Sequence, residues 1–172
     1  KRTQPPIAMR FSILPPERHI YDGAQAYMAV SPDGTTLASV VIDSVGTPRI
    51  WTRRLDAAAA RPVANTDGAA IPFWSPDSRH IGFFADGKLR RVSVEDGSMQ
   101  TLADAPDARG GSWNADGDIV FQPASAGPLM HVRAAGGAVH AVTAIDTASA
   151  EDAHRFPCFL PDGKHFLFVS LP

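Results

Sequence analysis

The groups in this 172-residue chain able to do chemistry are a glycine–lysine segment, scattered serines, six histidines, one cysteine and a run of alternating oxygen side chains. Gly82 to Gly87-Lys88 matches Gly-x-x-x-x-Gly-Lys, most of a phosphate-binding loop. However, Leu89 stands where a serine or threonine must reach magnesium, and Phe83, Phe84, Ala85 and Asp86 fill the positions of the backbone cradle. The segment reads as a hairpin. No Gly-x-Ser-x-Gly elbow surrounds any serine. The histidines at 19, 80, 131, 140, 154 and 165 show no His-Glu-x-x-His pattern, and no Cys-x-x-Cys exists. His154 and Cys158 are four apart, about 13 Å along a strand, so the expectation is a buried strand cysteine beside a rim histidine. Asn114, Asp116 and Asp118 alternate as calcium ligands do, yet the distant glutamate is missing and Asp116-Gly117 is a turn signal. The expectation is no catalytic residue, no metal and no cofactor.

Side chains are positioned by their elements, and those elements repeat. Ala29-Val30-Ser31-Pro32-Asp33-Gly34, Phe73-Trp74-Ser75-Pro76-Asp77-Ser78, Ser112-Trp113-Asn114-Ala115-Asp116-Gly117 and Cys158-Phe159-Leu160-Pro161-Asp162-Gly163 resemble one another. Their aspartates stand at 33, 77, 116 and 162, with spacings of 44, 39 and 46. Proline presets φ, aspartate bonds its own backbone and glycine accepts positive φ, so each copy is a tight turn. Short runs rich in Val, Ile and Phe follow each turn and are too short for helices. Third and fourth runs follow further turns such as Asp96-Gly97 and Gly136-Gly137. Four strands in about 40 residues is one propeller blade. Ala57–Ala60 reads as an outer loop, because four residues cannot meet the cost of helix nucleation.

The fold expected is therefore all-β: a partial β-propeller of four-stranded antiparallel blades, about three and a half in number. The boundaries are an N-terminal strand over 10–15, blades over 27–66, 71–104 and 110–144, and the first half of a fourth over 156–170. Hydrophobic residues at 44% and charged residues at 20% are ordinary for a globular chain, and the formal charge of −2 excludes a basic nucleic-acid-binding surface as the default. No apolar run approaches the ~18 residues of a membrane span. One cysteine allows no intrachain disulfide.

Phe73-Trp74-Ser75-Pro76-Asp77, Ile81 through Leu89 and Phe159 through Phe168 resemble TolB-type propeller repeats. More narrowly, they resemble the propeller that accompanies bacterial membrane-bound serine/threonine protein kinases, and Arg10 through Pro15 resembles the first strand of that module. The resemblance implies a non-catalytic sensing or protein-interaction module on the extracytoplasmic side of a bacterial membrane protein, with a cytoplasmic site as the alternative. No kinase signature lies in the chain itself. Two other functions stay open: the gating propeller of a prolyl-oligopeptidase-like peptidase, and a self-assembling half-propeller with no ligand.

Aligning the copies on the turn aspartate places Gln25, Ala69, Ala108 and His154 in one register and Ala26, Ala70, Arg109 and Arg155 in the next. These positions precede the innermost strands and should ring one mouth of the central channel. Gln25, Arg109, His154 and Arg155 are the candidate binding residues, for a small anionic ligand or an acidic partner segment. Alternatively, Arg109 and Arg155 pair with Asp107 and Asp152 and only hold the loops. Trp74 and Trp113 occupy equivalent strand positions and read as inter-blade core. An open arc leaves two blade faces bare, so the expected assembly is a homodimer that closes one ring of seven or eight blades by exchanging strands.

Overall fold

The computed structural model describes residues 12–21 and 28–172. Fifteen strands and one short 3-10 turn (Thr147–Ser149) make up the ordered elements among them. Sheet one holds β1 (Ile20–Tyr21), β2 (Met28–Val30), β3 (Thr36–Ile42), β4 (Pro48–Arg54) and β5 (Arg61–Pro62). Sheet two holds β6 (Ala70–Trp74), β7 (His80–Ala85), β8 (Lys88–Ser93) and β9 (Met99–Asp104). Sheet three holds β10 (Gly111–Trp113), β11 (Asp118–Phe121), β12 (Met130–Arg133) and β13 (His140–Ala141). Sheet four is the pair β14 (Ala153–Phe159) and β15 (Phe166–Leu171). Every sheet pairing is antiparallel, as tight turns between consecutive strands require. The innermost strands β2, β6, β10 and β14 contact one another in sequence, so the sheets fan about an axis without closing: a partial propeller.

The repeated turn is built by one device. Ser31 and Ser75 donate their hydroxyls to Asp33 and Asp77, and each serine oxygen accepts the N–H of the residue five positions on, Thr36 or His80. In the third copy, Asn114 Oδ1 does the serine's work by accepting Asp118 N–H at 2.8 Å. Ser78, standing where the other copies have glycine, takes φ 60°, close to the 71° of Gly34. The Asp33 carboxyl lies below its ordinary pKa chiefly because the Ser31 hydroxyl donates to it. The Gly82–Lys88 segment is the β7–β8 hairpin, and Lys88 is paired with Asp104 across to β9.

Alternation on the strands gives each sheet two apolar faces, and these make the core between sheets. Ala38, Ile50 and Val63 of sheet one meet Trp74, Ile81, Phe83 and Val92 of sheet two. Phe73, Phe84, Leu89 and Leu102 meet Ile119, Phe121 and Val132 of sheet three. Trp74 also donates its indole N–H to Ala29 O at 2.8 Å, tying sheet two to sheet one. Trp113, at the equivalent position, is half-buried and packs against the second cluster. No helix among the described residues is long and apolar enough to cross a membrane.

Three placements differ from the strand reading. Of the strand expected over 10–15, Arg10 and Phe11 lie outside the described residues and 12–15 carry no strand pairing; Ile20–Tyr21 lies on β3 beside β2 instead. The second strand of the fourth repeat, expected over 164–169, begins at Phe166, and Lys164 and His165 belong to the fourth turn. Finally, the burial of His154 and Cys158 is reversed: His154 is 2% exposed and Cys158 is exposed. The cause is a β-bulge. Pairing with β15 jumps from Arg155↔Val169 to Cys158↔Leu167, so the strand gains a residue between them and the alternation changes face.

Candidate functional site

The candidate residues of the third and fourth repeats lie where the loops leading into β10 and β14 meet the β11–β12 loop. Asp107 N–H donates to Pro123 O and Arg109 N–H to Gln122 O, both at 3.0 Å, and Gln122 N–H returns a bond to Gly110 O. The β10–β11 ladder is thus carried past its strands to the rim. Gly127 is stitched to the entry of β14 in the same way: its N–H donates to Asp152 O, and its carbonyl accepts His154 N–H. At the centre lies Gln122, fully buried, whose Nε2 donates to Gly127 O at 2.6 Å and His154 O at 2.9 Å. The spacing of the repeats did not single out Gln122. A polar residue ending an apolar strand was the available signal.

Of the predicted binding residues, Arg109, His154 and Arg155 are brought to adjoining positions, and Gln25 lies outside the described residues. Arg109 grips Asp107 with both amino groups, at 2.5 and 2.8 Å, and donates to Ala108 O. Its charge is thereby largely matched within its own loop. Arg155 does not meet Asp152; it donates to Ser125 O at 2.5 Å, and its Nε has no acceptor. His154 packs its ring on Phe168 and sits 2.8 Å from Thr143 Oγ1 and 3.1 Å from Glu151 Oε2.

Glu151 ties down the loop before β14. It accepts from Asp146 N–H at 2.9 Å and Ser170 Oγ at 2.7 Å, besides facing His154. These bonds, the Asp146 amide first, hold its carboxyl at about 2, against an ordinary value of 4.5. A carboxyl lowered by folding stabilises above its unfolded pKa, and that contribution is lost as pH falls through the folded value. Glu151→Gln should therefore lie furthest below the parent in melting temperature near pH 6 and converge on it between pH 4.5 and 2. Melts at several pH values check this; a gap that is constant with pH would remove Glu151 from the account.

One further register emerges only in three dimensions. Ile71, Gly110 and Phe156, each six residues before a turn aspartate, all have positive φ, at 49°, 108° and 53°. Positive φ is uncommon for any side chain and a genuine outlier for β-branched isoleucine. At Ile71 and Phe156 the inner strand bulges, and a proline follows, Pro72 or Pro157. Phe156 N–H donates to Arg109 O at 2.9 Å, locking one kinked strand to the next, while the Phe156 ring remains exposed beside Arg155. A Cβ on Gly110 would stand 3.0 Å from Phe156 Cα, so the strands approach here as closely as glycine allows.

Asn114, Asp116 and Asp118 form no cation cage. Asn114 Nδ2 donates to Gly163 O, and Asp118 is taken by His131 at 2.7 Å and Arg133 at 2.6 Å. The His131 contact, first among these, holds the Asp118 carboxyl at about 2. No group of three or more potential ligands suited to a metal exists among the described residues.

Comparison with solved structures finds the same β-propeller fold, with TolB propellers among the similar ones. TolB from Acinetobacter baumannii superposes with a TM-score of 0.70 at 16% identity, over 85% of this chain and 37% of that one. A protein assigned as TolB from Agrobacterium tumefaciens gives 0.65 at 19% identity, over 86% of this chain and 59% of that one. The β-propeller domain of the Trilobed protease from Pyrococcus furiosus gives 0.51 at 19%, over 67% of this chain and 41% of that one. The chain thus spans less than two thirds of each of these structures. No family model and no curated protein matches the sequence.

Proposed function

We propose that this chain is a non-catalytic protein-interaction module whose rim at Arg155, Phe156 and Arg109 receives an acidic segment of a partner protein; Gln25 of the first repeat shares the sequence register of His154. The observation that carries this reading is the kink repeated on three inner strands. Positive φ at a non-glycine residue persists only where surrounding structure over-determines it, and such strain gathers where a fold presents groups to a ligand. Here the kink turns out an aromatic ring beside the Arg155 guanidinium, which is itself held in place by Ser125 O. His154 serves this rim from beneath, by holding the loop.

A phage-displayed random dodecapeptide library is the probe. Selection on the chain should enrich peptides combining Asp or Glu with an aromatic residue. A synthetic peptide of that sequence should bind more weakly as salt rises and lose at least tenfold in affinity with Arg155→Ala or Phe156→Ala. Arg109→Ala should cost less, because Asp107 already shares that charge. No enrichment, or an affinity unchanged in both of the first two variants, overturns the rim.

The finer reading is the sensing propeller of a bacterial serine/threonine kinase on the extracytoplasmic side, supported by the resemblance of the repeats. The likeness to the Trilobed protease propeller favours a second, a propeller gating a peptidase. The coding sequence around this segment separates them: a kinase domain and membrane span supports the first, a hydrolase domain with a Gly-x-Ser-x-Gly elbow the second.

A further inference from the structure

The turns that follow the innermost strands are bonded to one another at two of their three junctions. Asp33 N–H donates to Ser78 Oγ at 3.2 Å between sheets one and two, and Asn114 Nδ2 donates to Gly163 O at 2.8 Å between sheets three and four. Between sheets two and three no such bond exists among the described residues. The third copy has Gly117 where Ser78 would accept, and the Ser75 hydroxyl, in the register of Asn114, is turned onto its own Asp77. This junction is left as a cleft of about 440 Å³, lined by Pro76, Asp77, Trp113, Ala115, Gly117 and Ala134. Sheets two and three each carry four strands, so complete sheets bound it.

Core packing explains why Trp113 stands there. Trp74 packs on Ala29 and Ala38 of sheet one, donates its indole N–H to Ala29 O and is buried. In the same registers sheet two has Phe73 and Gly82, and the Phe73 ring itself covers Gly82. The ground that Trp74 occupies is therefore already filled for Trp113. Its ring stays half-buried, 6.2 Å from that of His80, and its N–H has no acceptor among the described residues. The opposite wall supplies a carboxylate. Asp77 Oδ1 accepts from the Ser75 hydroxyl and the Arg79 N–H, while Oδ2 takes part in neither bond. Among the described residues, no cationic side chain lines the cleft.

We propose that this cleft is a second binding site, which takes an arginine side chain on an extended segment of a partner protein. It lies at the opposite end of the inner strands from Arg109 and Arg155 and does not depend on them. A guanidinium stacks on an indole face and forks onto a carboxylate, which a lysine ammonium cannot do. Pro76, Ala115 and Ala134 cover the aliphatic stem, and the free indole N–H meets a carbonyl of the segment.

The probe is the capped tripeptide acetyl-Ala-Arg-Ala-amide, titrated while the indole N–H signals of the three tryptophans are followed by NMR. Trp113→Phe assigns the signal of interest. That signal should move, and the signal of Trp74, held by Ala29 O, should not. The citrulline peptide, nearly isosteric but uncharged, should bind about fivefold more weakly or worse. Asp77→Asn keeps an Oδ1 acceptor for the turn and should weaken binding about threefold or more, with the circular dichroism of the parent retained. Arg155→Ala should leave the titration unchanged, so failure of the rim and failure of the cleft are told apart. A Trp113 signal that does not move overturns the proposal. Equal binding of the citrulline peptide overturns it too, as does affinity unchanged in folded Asp77→Asn.

Discussion

Gly82→Ala is expected to destabilise the chain by about 2–3 kcal/mol, at the upper end for an overpacked core. At this length that lowers the melting temperature by roughly 5–10 °C. The Phe73 ring passes across the backbone of its strand partner Gly82 and against Gly111 of the next sheet. A Cβ on Gly82 would fall 2.3 Å from one ring carbon and 2.4 Å from another; on Gly111 the closest would be 2.6 Å. Neither glycine has positive φ, so backbone strain contributes nothing and the effect isolates packing. The ring is fixed on both sides and cannot turn away without opening the interface between sheets two and three. Phe73→Leu alone should cost about 1–2 kcal/mol through the space it leaves. In the double variant the two costs should fall short of their sum by about 1 kcal/mol or more, because the smaller side chain removes the clash. Additive costs in chemical denaturation would show that the Gly82 effect does not run through Phe73.

The same pair shows how much of the fold is legible in the residues. The turn copies, their spacing and the apolar runs between them dictate four sheets, because a Ser-Pro-Asp-Gly turn can do little except reverse the chain. Phe73 reads as an apolar strand residue, but nothing in the sequence says that its ring needs two glycines, one of them in another blade. The site was harder still. The registers of Arg109 and Arg155 follow from simple counting, whereas their surroundings do not. Arg109 finds Asp107 two residues away, and Arg155 passes over Asp152 for a carbonyl thirty residues earlier. The reversal of His154 and Cys158 has a sequence signal that alternation overrides: Pro72 and Pro157 sit in the same register. Proline cannot donate to a ladder, so a proline inside an innermost strand marks the place where pairing slips. Counting through that slip as though the strand were regular puts every residue before it on the wrong face.

The slip bears on the proposed binding site because it joins Arg155 and Phe156 to the interior. Upstream of it, His154 points into the interface, its carbonyl held by Gln122, and Arg155 still pairs with Val169; downstream, pairing resumes at Cys158. Phe156 and Pro157 lie between, on a backbone fixed at both ends. A rim built this way is rigid at the main chain and variable at the side chain, the arrangement by which a scaffold carries interchangeable binding groups.

Gln122→Glu is the substitution expected to damage that support most, by about 3–5 kcal/mol at neutral pH, the scale of an uncompensated buried charge. The change is isosteric, so no cavity or clash intervenes. It replaces an amide that donates to Gly127 O and His154 O with a carboxylate that donates nothing and repels both. Burial and the two carbonyls must raise the pKa of the introduced carboxyl above its unfolded value. Its protonated form is therefore the one the fold tolerates, and the variant should approach the parent as pH falls toward 5 and lose stability as pH rises through the folded pKa. This is opposite in sign to Glu151→Gln, whose deficit is largest near pH 6 and vanishes in acid. The opposite slopes tell a local electrostatic effect from general acid sensitivity of the chain. Gln122→Met keeps the length without the charge and should cost less, with no dependence on pH, because two carbonyls then lack one donor but face no anion. If Gln122→Glu melted with the parent at pH 7, the tether between the β11–β12 loop and β14 would not be what holds Arg155 and Phe156 at the rim.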